Sequence, residues 1–165
     1  LFMEKLLSIE NLQIGYKKDQ VYQFIVRKLN LDLYPGETVA LVGESGSGKS
    51  ITAYSISKLL PHNLHFSFKS HLYFENNDIV DLSETSMRAL RGEKIAFIFQ
   101  EPLTALNPIK KMGIQLQEAL NKPGFLKKKF SKEKIYHLLA EVGLTNGEQV
   151  YHSFPHQLSG GMKQR

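Results

Sequence analysis

Cysteine is absent from all 165 residues, which removes structural disulfides, thiolate zinc sites and cysteine nucleophiles together. Nothing in the chain contradicts a cytosolic compartment. No stretch approaches the ~20 apolar residues that a membrane-spanning helix needs. The opening Leu1-Phe2-Met3-Glu4-Lys5 lacks the basic start, apolar stretch and small-residue cleavage site of a secretory signal. The sequence therefore predicts neither crossing of a membrane nor export by that route. Internal repeats, low-complexity tracts and long flexible linkers are lacking as well. The net charge of +5 is scattered, with one cluster at Lys127-Lys128-Lys129 that reads as a solvated loop or helix edge. Without aromatics interleaved on one face, nucleic acid is not the expected partner.

What remains is ordinary globular material, 42% hydrophobic and 22% charged, of a length that suggests one domain. Leu7, Ile9, Leu12 and Ile14 alternate loosely between Leu6 and Tyr16, and Leu29, Leu31 and Leu33 alternate again, so both stretches read as strands. After the Pro35-Gly36 turn signal, Thr38-Val39-Ala40-Leu41-Val42 is a short continuous apolar run, the pattern of a strand buried on both faces. Ile51, Tyr54, Ile56, Leu59 and Leu60 recur at roughly helical spacing until Pro61. A strand is predicted over His71 to Phe74, a turn at Asn76-Asn77, a helix from a Ser83 cap to Leu90 closing at Gly92, and another buried strand over Ile95 to Phe99. Beyond Gln100 the patterns are helical: Met112 to Leu120, then Ser131 to Val142 with Ile135, Leu138, Leu139 and Val142 inward and Gly143 as the C-cap. Strands come first and helices later, an α/β chain.

Between the Thr38 to Val42 run and the helix that follows lies Gly43-Glu44-Ser45-Gly46-Ser47-Gly48-Lys49-Ser50, which satisfies the phosphate-loop pattern G-x-x-x-x-G-K-[ST]. The glycines let the backbone curl so that successive N–H groups converge on phosphates. Lys49 is placed to reach the β- and γ-phosphates, the Ser50 hydroxyl to bind magnesium, and the helix start adds its positive end. The expected ligand is a nucleoside triphosphate with Mg2+, ATP foremost. The loop alone does not separate kinases, GTPases, motors and transport ATPases.

A second motif decides between them. Leu158-Ser159-Gly160-Gly161-Met162-Lys163-Gln164-Arg165 resembles the signature motif of ATP-binding-cassette (ABC) ATPases and the start of its helix. In that family the serine and paired glycines contact the γ-phosphate held by the opposite subunit's phosphate loop. Met162 stands where the family usually has glutamine, a departure familiar in its peptide-transport branch. Gln100 ends the Ile95 to Phe99 run, as does the family's Q-loop glutamine. A polar residue capping a strand would look the same in isolation, and its place between the two motifs favours the family role. Tyr16 falls where the family stacks an aromatic on adenine, although a tyrosine there equally suits sheet packing. Glu101-Pro102, Leu106-Asn107-Pro108 and Phe154-Pro155-His156-Gln157 resemble the dipeptide, oligopeptide and nickel import ATPases, while Lys69-Ser70-His71 departs from relatives that commonly carry glycine before the strand.

The resemblance implies an α/β P-loop NTPase fold of the ABC type. It would have a mixed β-sheet core with N-terminal antiparallel strands over 1–101 and a helical subdomain over 102–165. It implies ATP and Mg2+ as cofactors, Lys49 and Gln100 as catalytic groups, and Ser50 and Gln100 at the metal. Nucleotide contacts would come from Tyr16, Gly43, Glu44, Ser45, Gly46, Ser47, Gly48, Lys49, Ser50 and Ile51, and a contact across subunits from Leu158, Ser159, Gly160, Gly161 and Met162. The partners implied are transmembrane permease subunits, a second ABC ATPase subunit and, indirectly, an extracytoplasmic solute-binding protein, with the protein on the cytoplasmic face of the membrane. The magnesium-associated aspartate, the adjacent glutamate and the switch histidine of the family have no counterpart in the sequence, so binding without efficient hydrolysis is expected of residues 1–165 alone. A soluble ABC-type ATPase acting on ribosomes or DNA is the alternative.

Overall fold

The computed structural model describes residues 4–19, 21–101, 105–120 and 131–165. It divides into two compact units, Leu1–Arg88 and Ala89–Arg165.

The first unit is organised by a long hairpin of β1 (Leu7–Lys18) and β2 (Val21–Leu33). β1 is also flanked by β3 (His65–Phe66) and β4 (His71–Phe74), and β4 pairs with β5 (Asn77–Asp78), giving the order β2-β1-β4-β5 with β3 also on β1. All of these ladders are antiparallel. The loose alternation in β1 has a cause. Leu7 and Ile9 are buried, the register then shifts between Ile9 and Leu12, and Leu12 and Ile14 are buried in turn. The extra residue falls at Asn11, whose backbone is left-handed (φ 49) and whose N–H is taken by Asn30 Oδ1 at 2.7 Å. This bulge resets the pleat so that the inward set continues one position later. Leu72, Ile79 and Met87 complete the core of this unit.

Two positions depart from the sequence pattern here. The β4–β5 turn is Glu75-Asn76, both with positive φ (47 and 64), rather than Asn76-Asn77. The helix after the phosphate loop, α1 (Lys49–Ile56), stops well before Pro61. Lys58 takes a left-handed backbone (φ 48), with Leu59 N–H bonded to Tyr54 O and Lys58 N–H to Ser55 O, a Schellman end. The strain of a left-handed lysine is offset by its ammonium, which donates to Val80 O at 2.7 Å and Leu82 O at 2.8 Å. That long-range clamp is invisible in local sequence.

The Thr38 to Val42 run does not form the expected buried strand. Among the described residues no strand pairs with it, and Val42 is 88% exposed. A run apolar on both sides needs neighbours on both sides, and none of the described strands supplies one. The Ile95 to Phe99 run in the second unit is likewise outside any ladder, with Ile98 82% exposed. It keeps a period-two alternation, so Phe97 and Phe99 face one way with ring centroids 4.9 Å apart.

In the second unit α2 (Glu84–Glu93) ends, capped at its start by Ser83 Oγ accepting from Ser86 N–H and running one residue past the expected Gly92. Then come α3 (Met112–Leu120), α4 (Lys132–Glu141), α5 (Gly147–His152), a 3-10 turn at Pro155–Gln157 and α6 (Gly160–Gln164). Ser131 caps α4 by accepting from Lys134 N–H. Gly143 (φ 77) closes it as a Schellman glycine, with Leu144 N–H on Leu139 O. Ile135 and Leu139 are buried as the periodicity predicts, with Leu138 half-buried, but Val142 at the C-cap is 44% exposed. The last turn has unwound past the buried face there. Met112, Ile135, Leu139, Leu144, Val150, Tyr151 and Leu158 form the core of this unit.

The import-branch motifs have local structural work. Gln115 binds Asn107 in both directions, accepting from its N–H at 2.8 Å and donating to its carbonyl at 3.0 Å. Gln157 reaches back to the Phe154 N–H at 2.7 Å. Pro102 and Lys127-Lys128-Lys129 lie outside the described residues.

Candidate functional site: a phosphate loop seated on the hairpin

From Gly43 to Gly48 the backbone curls as the motif requires. Gly46 and Gly48 have φ of 81 and 93, conformations that L side chains adopt only under strain. A Cβ at Gly43 would lie 2.9 Å from Ser47 Oγ, so the serine side chain would have to turn aside to admit it. Ser47 N–H closes the turn on Glu44 O at 3.2 Å. Gly48 is the N-cap of α1 and supplies no side-chain acceptor, whereas Ser131 and Ser159 cap their helices with hydroxyls. The first-turn N–H groups of α1 are thereby left without a side-chain cap and point toward the loop, an arrangement that suits an anion.

Lys49 spans the loop, its ammonium donating to Gly43 O at 2.8 Å and Glu44 O at 2.6 Å. Two of its three donors are used within the loop, and the cation is held over the curl. Ser50 is exposed on the first turn and Ile51 is half-buried behind it. The donor set present, a lysine, a serine hydroxyl and a glycine-rich backbone turn, fits a polyphosphate with a hard oxygen-seeking cation.

The loop is anchored to the sheet at Gly48. A Cβ there would lie 3.1 Å from Val26 Cγ2 and 3.4 Å from Ile25 O, so glycine allows the loop to sit against β2. Tyr16 belongs to the same unit. It is half-exposed near the end of β1, opposite Gln23, and its hydroxyl donates to Gln23 Oε1 at 2.7 Å. Val26 and Gln23 had no signal in the sequence, since their significance comes from cross-strand register.

Gln100 and the second motif lie in the other unit. Gln100 is exposed immediately after the Ile95 to Phe99 run, which is in no strand ladder among the described residues. Leu158 is buried in the helical core, and Ser159 is the N-cap of α6, its Oγ accepting from Met162 N–H at 3.2 Å. Gly160 and Gly161 have open space where a Cβ would be. Met162 is half-buried against the core and ties the motif to it. The arrangement presents a serine and two bare glycine backbones outward from a buried leucine.

A phosphate loop on a strand-and-helix frame, followed by a helical unit with a capped Ser-Gly-Gly turn, defines the class as an ATP-binding-cassette domain. Residues 26–165 match the ABC transporter family, and the chain belongs to it. It is 42% identical to the dipeptide transport ATP-binding protein DppD of Bacillus subtilis, over 99% of this chain and 49% of that protein. It is also 42% identical to the oligopeptide transport ATP-binding protein OppD of the same organism, over 98% of this chain and 45% of that one. The chain thus spans about half the length of these curated relatives. Its fold superposes with a TM-score of 0.77 on the ATP-binding cassette MJ0796, solved as a dimer in a post-hydrolysis state bound to ADP and Pi. That match is 25% identical, over 95% of this chain and 65% of that one.

Proposed function

We propose that this chain is the nucleotide-binding part of an ATPase subunit that powers import of peptides or a related small solute across the cytoplasmic membrane. The observation that carries the nucleotide-binding part of the reading is the phosphate loop. Its backbone is curled, its helix start carries no side-chain cap, and Lys49 is fixed across it. Lys49 would neutralise the β- and γ-phosphates, the loop N–H groups would orient them and Ser50 would hold magnesium, with Gln100 assigned to the metal by its family role. Magnesium would supply charge neutralisation on the phosphate oxygens. Leu158 to Met162 meet the nucleotide of a second subunit, with Ser159, Gly160 and Gly161 as the contact surface, so that ATP is held between two copies or two related chains. The names of the two Bacillus relatives support the peptide cargo.

Among the described residues no helix is long and apolar enough to cross a membrane. Attachment to the cytoplasmic face is therefore assigned to permease subunits, with a solute-binding protein acting on their far side. Calorimetric titration tests the site. Lys49→Ala should weaken Mg-ATP binding tenfold to about a hundredfold, the range expected for a charge-assisted contact. Equal affinity in variant and parent would sink the assignment. Co-purification of the tagged protein with membrane permease subunits tests the transport role, and recovery with ribosomes instead would refute it.

A further inference from the structure

The bulges in the hairpin place one side chain pair on the face that carries the phosphate loop. Directly opposed residues of an antiparallel pair share a face. Ile14 opposes Val26, Gly15 opposes Phe24 and Tyr16 opposes Gln23, with a register shift between Ile14 and Gly15. The extra residue is Ile25. Along β1, Ile14 and Tyr16 are two apart and share a face, so their partners Val26 and Gln23, three apart on β2, share it too. Without the bulge, Gln23 and Val26 would point to opposite sides. Gly48 of the phosphate loop is seated against Val26. The Tyr16–Gln23 pair therefore lies on the loop's own face, two β1 residues further on, about 7 Å along the strand. That offset suits a base whose phosphates occupy the loop.

We propose that Gln23 is a positioning residue for nucleotide binding: its side-chain carbonyl holds the Tyr16 hydroxyl and so fixes the ring as a flat platform for the base. This rests on the nucleotide-binding reading above. The 2.7 Å bond restrains a half-exposed ring that would otherwise sample its rotamers. A ring already oriented loses less freedom when a base stacks on it. Gln23 does this from the neighbouring strand, and the bulge at Ile25 is what brings it there.

Tripolyphosphate separates this role from the loop, because it has the phosphates and no base. Calorimetric titration of the 165-residue chain with Mg-ATP and with Mg-tripolyphosphate gives an affinity ratio that reports the base alone. Tyr16→Phe and Gln23→Ala should each lower that ratio about three- to tenfold, the worth of one restraining hydrogen bond. The double variant should be no worse than either single one. Gln23→Glu, whose carboxylate still accepts the hydroxyl, should restore the ratio. A misfolded variant would lose both ligands, and that pattern is distinct. An unchanged ratio in Gln23→Ala, with Tyr16→Ala lowering it, would overturn the role of Gln23. An unchanged ratio in Tyr16→Ala would show that the base lies elsewhere and overturn it as well. If Lys49→Ala binds both ligands as the parent does, the phosphate site itself falls and this inference with it.

Discussion

Replacing Gly48 and Gly46 separately by alanine isolates the seating of the phosphate loop on β2. Both glycines have left-handed backbones, φ 93 and 81, so both substitutions incur the ~1–2 kcal/mol cost of an L residue in that region. Both also recover about 0.4–1 kcal/mol because alanine narrows the unfolded ensemble. At Gly46 nothing lies within 4 Å of the new Cβ, which leaves a net loss of roughly 0–1.6 kcal/mol. At Gly48 the Cβ would stand 3.1 Å from Val26 Cγ2 and 3.4 Å from Ile25 O. Val26 is buried and the Ile25 carbonyl is backbone, so neither retreats freely, and crowding adds roughly 1–2 kcal/mol. Urea unfolding followed by far-UV circular dichroism suits a chain with no tryptophan. With a slope of ~1–3 kcal/mol/M, the Gly48→Ala midpoint should fall below that of Gly46→Ala by about 0.3 M or more. Coincident curves for the two variants would mean that the loop does not rest on the hairpin, and the face argument for Tyr16 and Gln23 would lose its anchor.

Other perturbations read the rest of the frame. Gly113→Ala would put a Cβ 2.6 Å from the Tyr151 ring, and a loss of about 1–3 kcal/mol should appear as a lower thermal midpoint. Ser131→Ala removes the α4 cap and should cost about 1 kcal/mol, while Ser131→Asp, which still accepts from the Lys134 N–H, should cost little in the same melt. Asp32 is held below the usual carboxylate range by the Ser8 hydroxyl and then by the Lys5 ammonium. Because its folded pKa is depressed, its contribution is present above the unfolded carboxylate range and disappears as the pH falls through the folded value. Asp32→Asn should therefore destabilise at neutral pH by less than about 1 kcal/mol, given its exposed and screened position. The difference between variant and parent should close in acid denaturation curves as the pH falls through the depressed folded value.

The chemistry of this protein is more legible in its sequence than its architecture is. Gly43 to Ser50 declares itself because Gly46 and Gly48 answer local backbone demands, and Leu158 to Met162 because its pattern is written in consecutive residues. The strands of β1 and β4 and the helix of α3 follow from periodicity for the same reason. What the pattern missed was set by distant partners. Lys58 ends α1 because of carbonyls at Val80 and Leu82, and the start of β2 at Val21 depends on its pairing with Lys18 rather than on its own alternation. The runs at Thr38 to Val42 and Ile95 to Phe99 have the composition of buried strands, but composition reports what a segment needs and not what stands beside it. The Tyr16–Gln23 pair is of the same kind, a product of register.

Among the described residues no strand pairs with Val39-Ala40-Leu41-Val42, and this bears on how the chain behaves in concentrated solution. A short β-prone apolar segment with free backbone donors and acceptors is a template for pairing between copies. Glu37 and Glu44 flank it as charged gatekeepers, and the net charge of +5 keeps molecules apart at low ionic strength. Added salt screens that repulsion and leaves the run free to find its like, so colloidal stability should decline as salt rises. A single lysine at Val42, the most open residue of the run, interrupts that route without disturbing a packed side chain.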